Sequence, residues 1–403
     1  MDLSYGEEYE RFRTEVRDFL AESWPLKGEE AELERAEQMV LFRRRAIERG
    51  YLCRNIPKKY GGSEQEPDVL KAQILREEFA ESRAPGEVRG IGPSMLVPTL
   101  LDRGEEWQKD KWVADTITGK VVWCQGYSEP GSGSDLASLK TKGELVGDEW
   151  VINGQKIWTS GADAADYMFC LTRTEPEASK HAGISYLLID MHQPGVEVRP
   201  LKQMTGGSTF NEVFLTDVRT PADWIVGKRG EGWIVSRTTL KHERNSIGNA
   251  ANTTAGFQAL IRLAKKTVID GVPALERPEF RQRIAALEGY VLAHQYSGYR
   301  QLTRDAKGQS SGIITMMNKL IGNDIGDEQA RIAFDLLGDD ALLMAGERTL
   351  PGGPGPRNSR AWVTSYMGSL GGSVAGGTRN IQRNVIGERG LGLPRDAAAQ
   401  SSK

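Results

Sequence analysis

The hydrophobic pattern of this 403-residue chain changes period twice, and those two changes restrict its possible architectures more than any other feature. Up to about residue 120 the apolar residues recur at helical spacing: Tyr9, Phe12, Val16, Phe19 and Leu20 form one stripe with charges between them. "AELERAEQMVLFRRRAIERGY" repeats the pattern and stops at Gly50, a residue suited to a helix C-terminus. After the loop "IPKKYGGSEQEPD", the run "VLKAQILREEFAES" starts a further helix. Near residue 121 the period falls to two. "DEWVINGQKIW" reads as two short strands around Asn153-Gly154, a strong hairpin signal, and "YMFCLTRT", "GISYLLID", "GVEVRPL" and "FNEVFLTDVRTP" follow at strand length. After "GKRGEGW" the helical period returns and persists through "IAFDLLG". This order predicts an α+β multidomain chain: an N-terminal α-helical domain over residues 1–122, a middle antiparallel β-barrel over 123–228 and a C-terminal α-helical domain over 229–403.

Composition removes several function classes. Lys+Arg 52 against Asp+Glu 55 gives a net charge of -3, so no basic field is available for nucleic acid. The N-terminus is acidic without an apolar export segment, and no stretch reaches the roughly 20 apolar residues of a membrane span. Cys53, Cys124 and Cys170 are far apart and fit a reducing compartment, so a cytoplasmic location is expected. None of the four histidines lies in a metal-binding frame, and no metal is expected.

The densest candidate for chemistry is "WCQGYSEPGSGSDLASLKT", residues 123–141. Gly126, Gly131 and Gly133 would let backbone approach a ligand, and Ser128, Ser132 and Ser134 add hydroxyls without bulk. The same composition would serve a tight interdomain turn. A dinucleotide fingerprint fails, because Leu136 stands where a third glycine is needed and no βαβ unit surrounds it; a serine-hydrolase elbow lacks its final glycine.

Taken in order, "GYSEPGSGSDLASLKT", "INGQKIWTSGADAADYMFCLTRT", "FNEVFLTDVRTPADWIVGKRGEGW" and "GGTRNIQRNVIGERGLGLPR" resemble the acyl-CoA dehydrogenase family. "WCQGYSEPGSGSDLASL" is most similar to the large-subunit type from dicarboxylate and steroid side-chain degradation. The resemblance implies that family's fold, with a four-helix bundle as the C-terminal domain. It also implies FAD-dependent oxidation of the Cα–Cβ bond of an acyl-CoA thioester to the trans-2-enoyl-CoA, with electrons leaving to electron-transfer flavoprotein. A homotetramer or an α2β2 heterotetramer goes with it. The alternatives are a non-catalytic partner subunit of a heteromeric enzyme and a related flavin-dependent acyl-CoA oxidase.

By motif position, the resemblance places Gln125, Tyr127 and Ser128 along the isoalloxazine ring and Trp158, Thr159 and Ser160 over its other side. A tryptophan in a strand would equally suit a core. Ser134 is placed at the pantetheine arm of CoA, and Thr378 and Asn380 at the adenosine half of FAD. The Arg-x-x-Phe-Gly segment that usually holds the FAD pyrophosphate is not evident near "ERPEFRQRIAA". In "SVAGGTRNIQR", Gly376 stands where most members carry the catalytic glutamate. A minority carry the base instead in a Leu-x-x-Glu-Arg frame on the first long helix of the last domain. Leu240-Lys241-His242-Glu243-Arg244 matches that frame. The resemblance thus makes Glu243 the base, Arg244 a substrate contact and the Gly376 N–H a donor to the thioester carbonyl. Outside that frame a Glu beside an Arg on a charged helix is an ion-paired surface residue, and His242, on a different side of the helix, is the rival base.

Overall fold

A computed structural model describes residues 6–246, 250–307, 309, 313–345 and 355–394. The chain divides into two compact units, residues 1–201 with 209–240, and residues 202–208 with 241–403.

The first unit opens with helices α1 (Glu7–Ser23), α2 (Arg35–Glu48), α3 (Val69–Ser82), α4 (Val97–Arg103) and α5 (Glu106–Thr118). The expected α1 stripe buries Val16, Phe19 and Leu20, with Phe12 packed beside them. Gly50, at φ 83°, ends α2: its N–H bonds Ile47 O at 2.9 Å while Tyr51 N–H bonds Ala46 O at 2.9 Å. A left-handed residue closing two carbonyls in this way is the Schellman stop, which glycine adopts at least cost. Helix α3 begins where Asp68 accepts from Lys71 N at 2.9 Å.

Seven strands follow: β1 (Trp123–Gly126), β2 (Lys142–Val146), β3 (Glu149–Ser160), β4 (Tyr167–Arg173), β5 (Ile184–Asp190), β6 (Val196–Leu201) and β7 (Phe210–Pro221). They form one sheet in the order β1-β4-β2-β3-β7-β6, with β5 also pairing β4. The expectation of a purely antiparallel barrel is corrected, because β1 runs parallel to β4 and β2 meets β4 in parallel at Lys142 and Arg173. The connection from β1 to β4 contains the whole β2–β3 hairpin and is long enough for a crossover. The expected turn at Asn153-Gly154 is also corrected. β3 runs straight through it with a register slip, and the turn sits at Gly147 (φ 66°) and Asp148, between β2 and β3. Asn153 instead pairs with Asp217 of β7, its Nδ2 donating to Asp217 Oδ1 and its Oδ1 accepting from Asp217 N, both at 2.9 Å.

β4 and β5 lack alternation because both their faces are covered. Phe169, Leu171, Tyr186 and Leu188 join a core with Leu100 of α4, Trp112 of α5 and Leu96 just before α4, while Met168, Cys170, Leu187 and Ile189 join one with Trp150, Val213 and Leu215. Helix α6 (Gly232–Ser246) starts hard against β5: a Cβ at Gly232 would stand 2.4 Å from the Ser185 carbonyl carbon. Thr239, fully buried, accepts from Thr99 Oγ1 at 3.0 Å and donates to Tyr186 OH at 3.4 Å, which fixes this helix up to the turn before Glu243.

The second unit contains α7 (Ala250–Lys266), β8 (Val268–Ile269), β9 (Val272–Pro273), α8 (Pro278–Ala306), α9 (Ile313–Leu337), α10 (Ser359–Gly372) and α11 (Arg379–Val385). Phe257 and Leu260 of α7, Ile284 and Leu287 of α8, Ile332 and Leu336 of α9 and Trp362 of α10 share one core. No described helix is long and apolar enough to cross a membrane.

Candidate active site

In the first unit the segments "GYSEPGSGSDLASLKT" and "INGQKIWTSGADAADYMFCLTRT" meet. The Ile157 N–H donates to Ser128 O at 2.9 Å, so the segment after β1 runs beside the end of β3. β3 slips register against β7 between Lys156 and Thr159, and Trp158 sits in that bulge at φ 61° with 59% of its surface exposed, edge-on to Phe210 at 6.0 Å. A left-handed non-glycine residue costs about 1–3 kcal/mol, and an indole left in water gains little in return. Beside it Thr159 is 1% exposed, and its hydroxyl has no hydrogen-bond partner among the described residues. Asn211, its partner across the sheet, donates to Thr159 O and Asp163 Oδ1, both at 3.2 Å. Gln125, Ser128 and Ser160 are half-buried, and Ser134 is exposed.

Tyr127 turns its side chain into the core. Its side chain is 5% exposed and packs edge-on against Phe169 at 5.9 Å and Tyr186 at 6.3 Å, in the same core as Trp123. At the surface it can offer only main chain. Gly126 likewise serves packing, since a Cβ there would lie 2.4 Å from Met168 Sδ, whereas Gly131 and Gly133 face open space.

Two residues overlooked in the sequence hold this region together. Lys156 is fully buried and donates to Glu129 Oε1 at 2.9 Å, Leu171 O at 2.8 Å and Tyr127 O at 3.3 Å. Glu129 accepts in addition from the Lys140 N–H at 2.6 Å and the Thr141 N–H at 2.8 Å. Burial pushes the Glu129 carboxyl up, but the Lys156 charge and these hydrogen bonds outweigh it and hold the group below the ordinary carboxylate range. The pair ties the glycine- and serine-rich segment to β3. A signal existed: period two puts Lys156 on the inward face of Trp150 and Ile152, and an inward lysine needs an anion. A cavity of about 360 Å³ opens beside the pair, lined by Pro130, Gly131, Ser132, Lys140 and Gln155 among others.

In the second unit Gly376 and Gly377 adopt φ 57° and 88° in the turn between α10 and α11. Gly376 is exposed, and its N–H has no hydrogen-bond partner among the described residues. Thr378 caps α11 by accepting from Ile381 N at 3.2 Å, and Asn380 is exposed on the first turn of that helix. Glu243 and Arg244 lie on α6, but their side chains fall outside the described residues. His242 is half-buried.

Three family models cover nearly the whole chain: acyl-CoA dehydrogenase N-terminal domain over residues 6–120, middle domain over 124–218 and C-terminal domain over 230–391. Among curated proteins, acyl-CoA dehydrogenase IpdE1 of Mycobacterium tuberculosis is 35% identical over 97% of this chain and 99% of its own length. Among solved structures, the ChsE4-ChsE5 complex from Mycobacterium tuberculosis matches with TM-score 0.75 at 27% identity, covering 98% of this chain and 100% of that one. The Tcur3481-Tcur3483 steroid ACAD matches with TM-score 0.74 at 26% identity, over 98% and 100%.

Proposed function

The chain belongs to the acyl-CoA dehydrogenase family, and from that premise we propose that it oxidises the Cα–Cβ bond of an acyl-CoA thioester, with FAD as cofactor and Glu243 as base. The observation that supports a flavin most directly is the rim of β3: an exposed, strained Trp158 beside a buried Thr159 hydroxyl without a partner. Both features suit a flat polar ligand that covers the indole and takes the hydroxyl's hydrogen bond. Bound FAD would supply the hydride acceptor.

The chain's residues supply the rest. Ser128, Ser160 and the main chain at Tyr127 offer hydrogen bonds to the polar edge of the ring, Gln125 lines it, and Thr378 and Asn380 meet the adenosine half. Ser134 and Arg244 contact the CoA ester. Glu243 removes the α proton, and the negative charge that then grows on the thioester oxygen is met by the Gly376 N–H. Glycine at 376 leaves a single carboxylate in the pocket, avoiding a like-charge pair that would raise the base's pKa. Helices α7 to α10 form the family's four-helix bundle in this reading, and electron-transfer flavoprotein is the electron acceptor. The acyl group is of the steroid-degradation type, as the name of the Tcur3481-Tcur3483 steroid ACAD suggests.

Anaerobic reduction of the bound flavin by a panel of acyl-CoA esters tests the assignment. Glu243→Gln is expected to retain FAD and slow bleaching by about 10²–10⁴-fold, the range for removing a general base. Bleaching at the wild-type rate would remove Glu243 from the mechanism. A second reading, a silent subunit that completes a partner's site, is favoured by two structural relatives named as pairs of chains, the ChsE4-ChsE5 complex and the Tcur3481-Tcur3483 steroid ACAD. It predicts that the chain purified alone is colourless.

A further inference from the structure

Helix α9 grips the turn that carries Gly376 at several points along one face. Asn323 Nδ2 donates to Gly372 O at 2.6 Å, Arg379 from the far side of the turn pairs with Asp324 at 3.1 Å and with Asp327, and Lys319 Nζ donates to both Ala375 O and Gly377 O. Positions 319, 323, 324 and 327 follow the spacing of one helical face. Lys319 is only 5% exposed, and it brings its charge to the carbonyls on either side of Gly376.

The Ala375 carbonyl and the Gly376 N–H belong to one peptide unit. That unit is planar and trans, so its C=O and N–H point in opposite directions. A cation fixed at the oxygen therefore aims the N–H away from α9. It also draws electron density toward the oxygen and makes the N–H a stronger donor, as in any chain of polarised hydrogen bonds. The second bond, to Gly377 O, holds the far end of a glycine pair that would otherwise have wide conformational freedom.

We propose that Lys319 is a positioning residue that aims and polarises the Gly376 N–H toward the thioester oxygen; this rests on the proposed role of that N–H. Hydrogen exchange and ligand preference test it in the FAD-loaded protein. Lys319→Met is expected to speed amide exchange in a peptide covering residues 373–383 by about tenfold or more, with the β-sheet peptides unchanged. The preference for a trans-2-enoyl-CoA, whose carbonyl can accept from Gly376, over the matching CoA thioether, which has no carbonyl, is expected to shrink by about tenfold. In steady state kcat should fall about 10²-fold, the range for losing one oxyanion donor, with KM changed less than about threefold. Lys319→Gln, which keeps a donor and drops the charge, gives the same two binding and exchange readouts if the methionine variant does not fold. Wild-type exchange and wild-type thioester preference in a folded variant would overturn the inference. Faster exchange with an unchanged preference would also overturn it, reducing Lys319 to a structural tether. The exchange readout does not depend on Glu243, so a failure of the base assignment is read separately.

Discussion

Lys156 is a lysine without water, and its cost is met by one carboxylate and two carbonyls. Removing one member of such a pair leaves the other charged in a dry core, which typically costs about 3–5 kcal/mol. Glu129→Gln is therefore expected to destabilise the first unit by about that much in denaturant titration, and Lys156→Met to cost a similar amount. The double variant should recover part of the loss, because no orphan charge then remains. The pH dependence carries the same sign. Glu129 titrates below its ordinary range when folded, so its contribution is complete above the unfolded glutamate value of about 4.3 and is lost as the pH falls through its lower folded value. The Glu129→Gln protein should lose that segment of acid sensitivity, seen as a flatter stability curve below about pH 4.3. An unchanged acid limb would place the main acid-labile carboxylates elsewhere.

At the scale of elements, β3 departs most from its sequence appearance. Asn-Gly with apolar flanks signals a hairpin, yet here Gly154 sits where a Cβ would come 2.5 Å from Thr141 Oγ1 and 2.7 Å from Thr141 Cα, so close approach rather than a turn requires the glycine. Gly147 holds the turn in open space at φ 66°. Gly147→Ala is expected to cost about 1 kcal/mol, from backbone strain alone, and Gly154→Ala about 1–3 kcal/mol, because backbone must move. Equal small costs at both sites in denaturation midpoints would contradict the bulge. β6, β7 and α3 were legible because each carries a local period bounded by turn residues, and β4 and β5 because each is an apolar run of strand length between turns. The parallel pairing of β1 with β4 was not, since no local pattern encodes a partner some forty residues away. A second two-residue hairpin, Asp270-Gly271 with φ 52° and 78°, joins strands too short to show a period. In the candidate site the motif segments were legible as a cluster, but the inward turn of Tyr127 was not, because the strand ends at Gly126 and alternation loses its authority there. Lys319 gave no signal either: a lysine in a helical pattern reads as solvated until tertiary contacts bury it.

For the whole molecule, the two units have separate cores, one set around Val16, Phe42, Phe169 and Ile189, the other around Leu260, Leu287 and Ile332. Each is expected to melt as its own cooperative step. A cofactor that binds only folded protein stabilises by mass action, about 2.7 kcal/mol at a hundredfold excess over its Kd. On a unit of this size that corresponds to a rise of about 5–10 °C in calorimetry. The step assigned to the first unit should rise with FAD, since Trp158, Thr159 and Ser160 all belong to it. Trp158→Gly makes the origin of the strain testable. Glycine accepts φ 61° freely, and the indole it removes is mostly exposed, so the FAD-free melting step should stay level or rise. The FAD-induced shift should shrink, because the ring loses its aromatic shelf. Those opposite signs distinguish strain kept for a ligand from strain kept for packing: a lower FAD-free step with a full FAD shift would mean that Trp158 serves the sheet and not the flavin.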